Sequence, residues 1–320
     1  YVIAQALDKK FLPLAYFFAI FGLLGPLPLY NVNQLTDYLE VQYGFERWWV
    51  GIACAFLVAY ILYGGVLRIA SVTSTLVPIM CCIYVVFCLV VLVQNVEVIL
   101  PTFKSIFTHA MGGGAVVGGF FGQAFKEIMI TGVKRAAFSN EAGIGTAPMA
   151  HSNAKTAEPV SEGLVAMLGP FIDTIIICTL TALVILVSFP DQSYSEMQGV
   201  ILTLAAFEKN LPGLGTHILG VCIVLFSLTT IIGASNYTEK CWNFLFKGHR
   251  FLGENTLIAF VSVCVLAGAL FHLDTVVNLL DAGYGFMAYP NMIATLLLAP
   301  KVIDELKKYW TKPHPGEDEQ

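Results

Sequence analysis

The stretch GGGAVVGGFFGQAFKEIMITGVKRAAFSNEAGIGTAPMAHSNAKTAEPVSE, residues 112–162, decides how this chain can fold. It lies between apolar runs, begins with glycines and carries Gln123, Lys126 and Glu127. Glycine weakens a helix by about 1 kcal/mol relative to alanine. Ionisable side chains at membrane depth usually face a cavity or a partner. A stretch with both features predicts a special packing arrangement or a functional site.

The glycine spacing permits two interpretations. Gly114, Gly118 and Gly122 are four residues apart, and small residues at this spacing let a neighbouring helix approach closely. A glycine-interrupted helix can also be broken near the membrane midplane and line a substrate site. The spacing alone leaves both interpretations open.

The composition places the chain in a membrane. Hydrophobic residues make up 57% and charged residues 12% of its 320 residues. Soluble domains carry about 25% charged residues, so we predict an integral, all-α membrane protein with a membrane-lipid environment. The eight cysteines show no metal-like spacing and are expected to pack as small hydrophobes.

Apolar runs predict about eight transmembrane helices of about 20 residues each. They cover residues 11–39, 48–66, 71–93, 112–133, 163–188, 215–235, 256–273 and 283–300. Pro26 and Pro28 predict a kink in the first of them. Segment 94–110 is expected along the membrane surface or folded into a vestibule, and segment 199–213 is expected at the surface.

The basic residues predict the orientation. If residue 1 is cytoplasmic, most of the 17 Lys and Arg fall on one side, and Arg47, Lys104 and Lys209 fall on the other. This skew follows the positive-inside rule. It predicts a multi-pass protein of the cell membrane, with one transmembrane domain over residues 1–300 and a charged cytoplasmic tail over 301–320.

Asp173 lies inside the fifth predicted span. A carboxylate there is costly unless it is paired or hydrated. A salt bridge or a hydrogen bond at a helix terminus is the structural interpretation, and a functional site is the alternative.

Motifs for other functions are absent from the sequence. No phosphate-binding G-x-x-x-x-G-K-[ST] loop, G-x-S-x-G elbow or H-E-x-x-H helix occurs. The sequence has no cluster of basic residues that would indicate a nucleic-acid binding site. Many helices interrupted by Gly and Pro, with hydroxyl and amide groups at membrane depth, are typical of a secondary transporter rather than an enzyme. A channel or an interaction scaffold remains an alternative.

Residues 132–186, with SNEAG at 139–143, resemble the alanine or glycine:cation symporter family. Further similarity lies in NVNQLT (31–36), TTIIGASNYTE (229–239) and LLDAGYGFMAYPNMIATLLL (279–298). The resemblance implies a LeuT-like inverted-repeat fold of the amino acid-polyamine-cation superfamily. The eight spans would be core helices 3 to 10, and the chain would be a fragment whose preceding helices lie upstream of Tyr1.

The resemblance also implies a function, namely sodium-coupled symport of a small neutral amino acid, such as alanine or glycine, by alternating access. Na⁺ would be the coupling ion, with no other cofactor. By position, Thr229 or Thr230 would offer a hydroxyl to Na⁺, and Thr230 could also touch the substrate. Many members have a large aromatic residue where this chain has Ala234 and Ser235, which leaves room for a larger neutral amino acid.

The remaining site residues also follow from the resemblance. The family often has Gln where this chain has Asn31, whereas Asn33 keeps its type. The glycine-rich helix would line the substrate pocket with Gly118, Gly119, Phe120, Phe121 and Gln123. The segment with Ser139, Asn140, Glu141 and Gly143 is interpreted as a gate or hinge at the cytoplasmic end.

Overall fold

The computed structural model describes residues 2–110, 120–156, 158–190, 197–247 and 252–311, with the backbone alone at 65–74, 110 and 120–125. The described residues form helices joined by short turns, without a strand. The α-helices are α1 (Val2–Ala6), α2 (Leu12–Phe21), α3 (Leu29–Tyr43), α4 (Arg47–Tyr63), α5 (Gly65–Gln94), α6 (Val96–Ala110), α7 (Phe120–Asn140), α8 (Thr146–His151), α9 (Pro159–Pro170), α10 (Thr179–Ser188), α11 (Gly199–Asn210), α12 (Gly215–Phe246), α13 (Glu254–Leu270) and α14 (Leu273–Thr311). A 3₁₀ turn (Lys9–Phe11) precedes α2, and a π-helical segment (Phe171–Cys178) joins α9 to α10.

Four helical stretches within the described residues are long and apolar enough to cross a membrane. They are Thr75–Gln94, Pro159–Ser188, α12 and α14, and the apolar helices α4 and α13 are shorter. The expectation of an all-helical, multi-pass membrane protein is therefore confirmed. The count of eight spans stays a prediction.

The first predicted span is broken rather than kinked. Helix α2 ends at Phe21 and α3 begins at Leu29, with Pro28 immediately before it. Proline has no N–H to donate to the preceding turn, so the two prolines interrupt the helix. The unwound segment crosses α14 where Gly25 meets Gly283.

Three other segments differ from the sequence prediction. The predicted fourth span lies partly outside the described residues, and α7 continues beyond its expected end to Asn140. The last span begins earlier and ends later than predicted, because α14 is continuous from Leu273 to Thr311. Helix α11 was expected at the surface, yet Ala206 and Phe207 are fully buried. Its apolar side packs against α10 and α12, so other helices cover that side. Its placement along the membrane surface stays a prediction.

Helix α12 is central to the fold. Half of its most apolar window is buried, compared with about a fifth in the other candidate spans. It packs against α3, α4, α5 and α11, and these contacts leave a cavity beside its middle turns.

Candidate functional site

A cavity of about 890 Å³ lies among α3, α5, the π-helical segment and α12. The start of α11 and the end of α8 lie at its margin. Small-molecule sites typically occupy about 300–1,000 Å³. Its wall is mostly apolar, and hydroxyl, amide and carboxylate groups project from several helices. The cavity therefore has the size and chemistry of a binding site for a small polar molecule.

The threonine pair predicted from the sequence lies on this cavity. Thr229 and Thr230 both line it from α12. The Thr229 hydroxyl donates to the carbonyl oxygens of Leu225 (2.9 Å) and Phe226 (3.0 Å). The Thr230 hydroxyl makes no hydrogen bond with any described residue, so it is available to a ligand.

Helix α3 contributes its asparagines differently. Asn31 and Gln34 line the cavity, whereas Asn33 is fully buried on the opposite face. Asn33 Nδ2 donates to the carbonyl oxygens of Gly268 (3.0 Å) and Phe271 (2.7 Å) at the end of α13. Residues two apart in a helix point in nearly opposite directions, so the structure separates the two predicted asparagines.

Ala234 and Ser235 are buried in α12 but do not line the cavity. The Ser235 hydroxyl donates to the carbonyl oxygen of Ile231 at 2.7 Å. Gly233 and the side chain of Tyr237 occupy the cavity-facing positions in this part of the helix. Extra room for a larger substrate was expected at Ala234. In the structure, this position does not open directly to the cavity.

The glycine-rich part of the predicted pocket cannot be placed in this geometry. Gly118 and Gly119 lie outside the described residues. Phe120, Phe121 and Gln123 begin α7, where the structure describes the backbone alone.

Asp173 lines the cavity from the π-helical segment. Its Oδ2 accepts hydrogen bonds from the hydroxyls of Ser139 (2.6 Å) and Thr174 (3.2 Å). No ion pair to it exists among the described residues. The hydrogen bond comes from the last turn of α7, and the salt bridge considered in the sequence interpretation is not formed.

The segment predicted to be a gate is tied to the cavity wall. Besides the bond from Ser139 to Asp173, Asn140 Nδ2 donates to the Thr174 hydroxyl at 3.0 Å. The Asn140 side chain also accepts a hydrogen bond from the Ala142 N–H at 2.9 Å, which ends α7. The Ser139 hydroxyl also forms a 3.3 Å bond with the Cys178 thiol, so three side-chain bonds link the end of α7 to the π-helical segment.

Glu141 follows at a backbone φ of 58°, a left-handed conformation that is uncommon for a residue with a side chain. Its carboxyl group lies beside the hydroxyl of Tyr237, which lines the cavity. Burial raises the pKa of Glu141 above its ordinary value, since removal from water disfavours the charged form. Gly143 has a φ of 84°, and its carbonyl oxygen accepts a 2.9 Å bond from Asn291 of α14.

Sequence reasoning missed several polar cavity groups. Gln34 lies one turn after Asn31, and Ser227 one turn before Thr230, so helical spacing could have identified both. Tyr84 and Thr181 come from distant parts of the sequence, and their hydroxyls meet at 2.6 Å. No local pattern predicts that contact.

The cavity has few charges. Asp173 is the one Asp, Glu, Lys, Arg or His side chain of the described residues on its wall. The described residues also form no group of three or more His, Cys, Asp and Glu side chains that could hold a metal ion. Hydroxyl, amide and single carboxylate oxygens are suited to a monovalent cation and a zwitterionic or neutral solute, not to a transition metal.

Helices long enough to span a membrane, a broken helix beside them and a mostly apolar cavity with a few polar groups are typical of a membrane carrier. The chain belongs to the sodium:alanine symporter family, whose model matches residues 1–320. The resemblance seen in the SNEAG region is confirmed, and the family and its named members are transporters, not enzymes.

Relatives extend over nearly all of this chain. The sodium/alanine symporter AgcS of Methanococcus maripaludis is 36% identical over 307 residues, which are 94% of this chain and 65% of AgcS. The amino-acid carrier protein AlsT of Bacillus subtilis is 30% identical, with 99% of this chain and 67% of AlsT covered. The probable sodium/glutamine symporter GlnT of Bacillus subtilis is 31% identical, with 89% and 58% covered. The chain spans between 58% and 67% of the length of these relatives.

Proposed function

We propose that this chain forms part of a symporter that couples Na⁺ to the uptake of a small neutral amino acid by alternating access. Family membership and the named relatives support sodium and an amino acid as the transported species. The proposed architecture is the LeuT-like inverted repeat with core helices 3 to 10 in this chain. The observation that carries the proposal is the unbonded Thr230 hydroxyl on the wall of the central cavity.

Sodium is proposed to bind at Thr229 and Thr230. Hydroxyl oxygens are hard ligands, and both residues line the cavity from adjacent positions of α12. The Thr229 hydroxyl uses its proton for two backbone carbonyls and keeps its lone pairs for a cation. The Thr230 hydroxyl is free to contact either the ion or the substrate.

The amino acid is proposed to bind beside this ion, with Asn31 as a polar contact in the described wall. The roles of Asn33, Ala234 and Ser235, and of Gly118, Gly119, Phe120, Phe121 and Gln123, remain predictions from the resemblance. One relative is named for alanine and another, as a probable symporter, for glutamine. The proposal is therefore limited to neutral amino acids.

The segment of residues 139–143 is proposed as a hinge of the cytoplasmic gate. It joins α7 to α8, contacts the π-helical segment through Ser139 and Asn140, and contacts α14 through Gly143. Rocking of one helix bundle against the other would have to strain or break these bonds.

The protein is proposed to lie in the cell membrane as one transmembrane domain, with a cytoplasmic C-terminus. The distribution of Lys and Arg supports this orientation. A green fluorescent protein fused after Thr311 should fluoresce, whereas alkaline phosphatase activity at that position would contradict the orientation.

The sodium site is tested by Thr230→Val, which keeps the shape of the side chain and removes its hydroxyl. In proteoliposomes, we expect the sodium concentration for half-maximal uptake to rise at least about tenfold, or uptake to be lost. Thr238→Val is the matched control, since Thr238 is buried in the same helix, does not line the cavity and makes only a 3.4 Å bond. Uptake by Thr230→Val with the sodium dependence of the wild type would refute the assignment.

A further inference from the structure

We propose that Asp173 forms a second sodium site on the cavity wall, with the hydroxyls of Ser139 and Thr174 as additional oxygen ligands. The inference rests on the proposed sodium-coupled function and extends it. The site lies on the π-helical segment between α9 and α10, whereas Thr229 and Thr230 lie on α12. The two sites therefore belong to different walls of the same cavity.

The backbone around Asp173 is irregular for a reason visible in the sequence. Pro170 ends α9 without an N–H to donate, and Gly169 precedes it. Loss of this donor allows the hydrogen-bond register to slip from the α to the π pattern over Phe171–Cys178. Such π-helical turns occur frequently at functional sites.

The two oxygens of the Asp173 carboxylate have different surroundings. Oδ2 accepts the bonds from Ser139 and Thr174, and the Cys178 thiol lies 3.9 Å from it. Oδ1 accepts no hydrogen bond from any described residue. A cation bound at Oδ1 would complete the coordination of the carboxylate without displacing its present partners.

The charge of Asp173 also lacks compensation. No Lys, Arg or His in the described residues forms an ion pair with it. Acidic side chains inside membranes generally pair with a cation or mark an ion pathway. A single carboxylate with hydroxyl neighbours balances a monovalent ion, whereas a divalent ion usually requires more charged ligands.

Sodium at this position would act on the proposed gate. Ser139 is in the last turn of α7, so it connects a ligand of the ion to the segment of residues 139–143. Asn140 connects the same segment to the proposed ligand Thr174, because its Nδ2 donates to the Thr174 hydroxyl. Occupation of the site would therefore stabilise the present contact between the end of α7 and the cavity wall.

The test is equilibrium binding of radioactive sodium to the complete gene product in detergent, which does not depend on transport. We expect Asp173→Asn to bind one sodium ion per chain fewer than the wild type, while the ion assigned to Thr229 and Thr230 remains. Asp274→Asn, the same change at an exposed position at the start of α14, is the control and should bind sodium like the wild type.

Two further variants keep the test decisive if Asp173→Asn does not fold. Asp173→Glu preserves the charge and should keep the stoichiometry at a severalfold weaker affinity. Ser139→Ala preserves the carboxylate and should weaken binding of one ion severalfold. The proposal would be overturned if Asp173→Asn bound sodium with the stoichiometry and affinity of the wild type. If Asp173→Asn does not fold, wild-type sodium affinity in Ser139→Ala would overturn it instead. Loss of one ion from Asp173→Asn, together with absent amino-acid uptake by the folded wild type, would support this site and refute the symport function.

Discussion

Glu208 shows how one carboxylate organises a turn of this protein. It lies near the end of α11, and its Oε2 accepts bonds from the Thr216 hydroxyl (2.6 Å) and N–H (3.0 Å). Its Oε1 accepts a 2.7 Å bond from the Gly213 N–H. The acceptor therefore satisfies N–H groups at the start of α12, where a negative charge also interacts favourably with the helix dipole.

These hydrogen bonds lower the pKa of Glu208 below its ordinary value of 4.5, and the bond from the Thr216 hydroxyl has the largest effect. A carboxyl group whose pKa is lower in the folded state stabilises the protein fully above its unfolded-state pKa, and this stabilisation is lost as the pH falls through the folded-state pKa. We predict that Glu208→Gln lowers the melting temperature at neutral pH, and that the difference from the wild type shrinks below pH 4.5.

The control is Glu97→Gln, a charge change at an exposed glutamate in the first turn of α6. This variant loses only an interaction with the helix dipole, so it should lower the melting temperature at neutral pH by much less than Glu208→Gln. A Glu208→Gln difference that stays constant as the pH falls below 4.5 would contradict the role assigned to the ionised carboxylate.

Individual site residues could be predicted from the sequence only in part. Thr229 and Thr230 came from the family resemblance, and both lie on the cavity. Asn33 came from the same resemblance, yet its amide is engaged by two carbonyl groups at the end of α13. Helical periodicity from Asn31 indicates the opposite face for Asn33, so a periodicity argument would have separated them before the structure did.

At the scale of helices, the crossing of the broken first span with α14 depends on two glycines. A Cβ atom on Gly283 would lie 2.6 Å from the Gly25 Cα and 2.7 Å from its N atom. A backbone neighbour cannot move aside as the end of a side chain can. We predict that Gly283→Ala lowers the free energy of unfolding by about 1–3 kcal/mol.

The matched control is Gly285→Ala, two residues further along α14, where an added Cβ atom meets nothing within 4 Å. Alanine is the better helix former, so this variant should be neutral or more stable by up to about 1 kcal/mol. Unfolding of both variants in detergent, followed by circular dichroism, measures the difference. Equal stability of the two would contradict the close crossing.

Helices could be predicted from apolar runs and prolines, because these patterns act locally. Pro26 and Pro28 in this way predicted a kink at the right place, although the helix is interrupted there rather than bent. The burial of α11 does not, since an amphipathic segment does not specify whether lipid headgroups or other helices cover its apolar face. The π-helical segment depends on a one-residue change of hydrogen-bond register, which no hydropathy pattern reports.

At the scale of the molecule, the cavity joins residues from α3 to α12 that are far apart in the sequence. Its two hydroxyl pairs illustrate the limit of prediction. Thr229 and Thr230 are adjacent in sequence and belong to a recognisable motif, whereas Tyr84 and Thr181 meet only through the packing of α5 against α10. The class of protein was thus accessible from composition and motifs, and the shape of its binding site was not.

The most direct test of the proposed function is uptake of labelled alanine, glycine, serine and glutamine by the complete gene product in proteoliposomes, with and without an inward sodium gradient. We predict that at least one of these amino acids accumulates above its external concentration only when the sodium gradient is present. Flux that runs downhill and ignores sodium, or no uptake of any neutral amino acid by folded protein, would contradict sodium-coupled symport at this cavity.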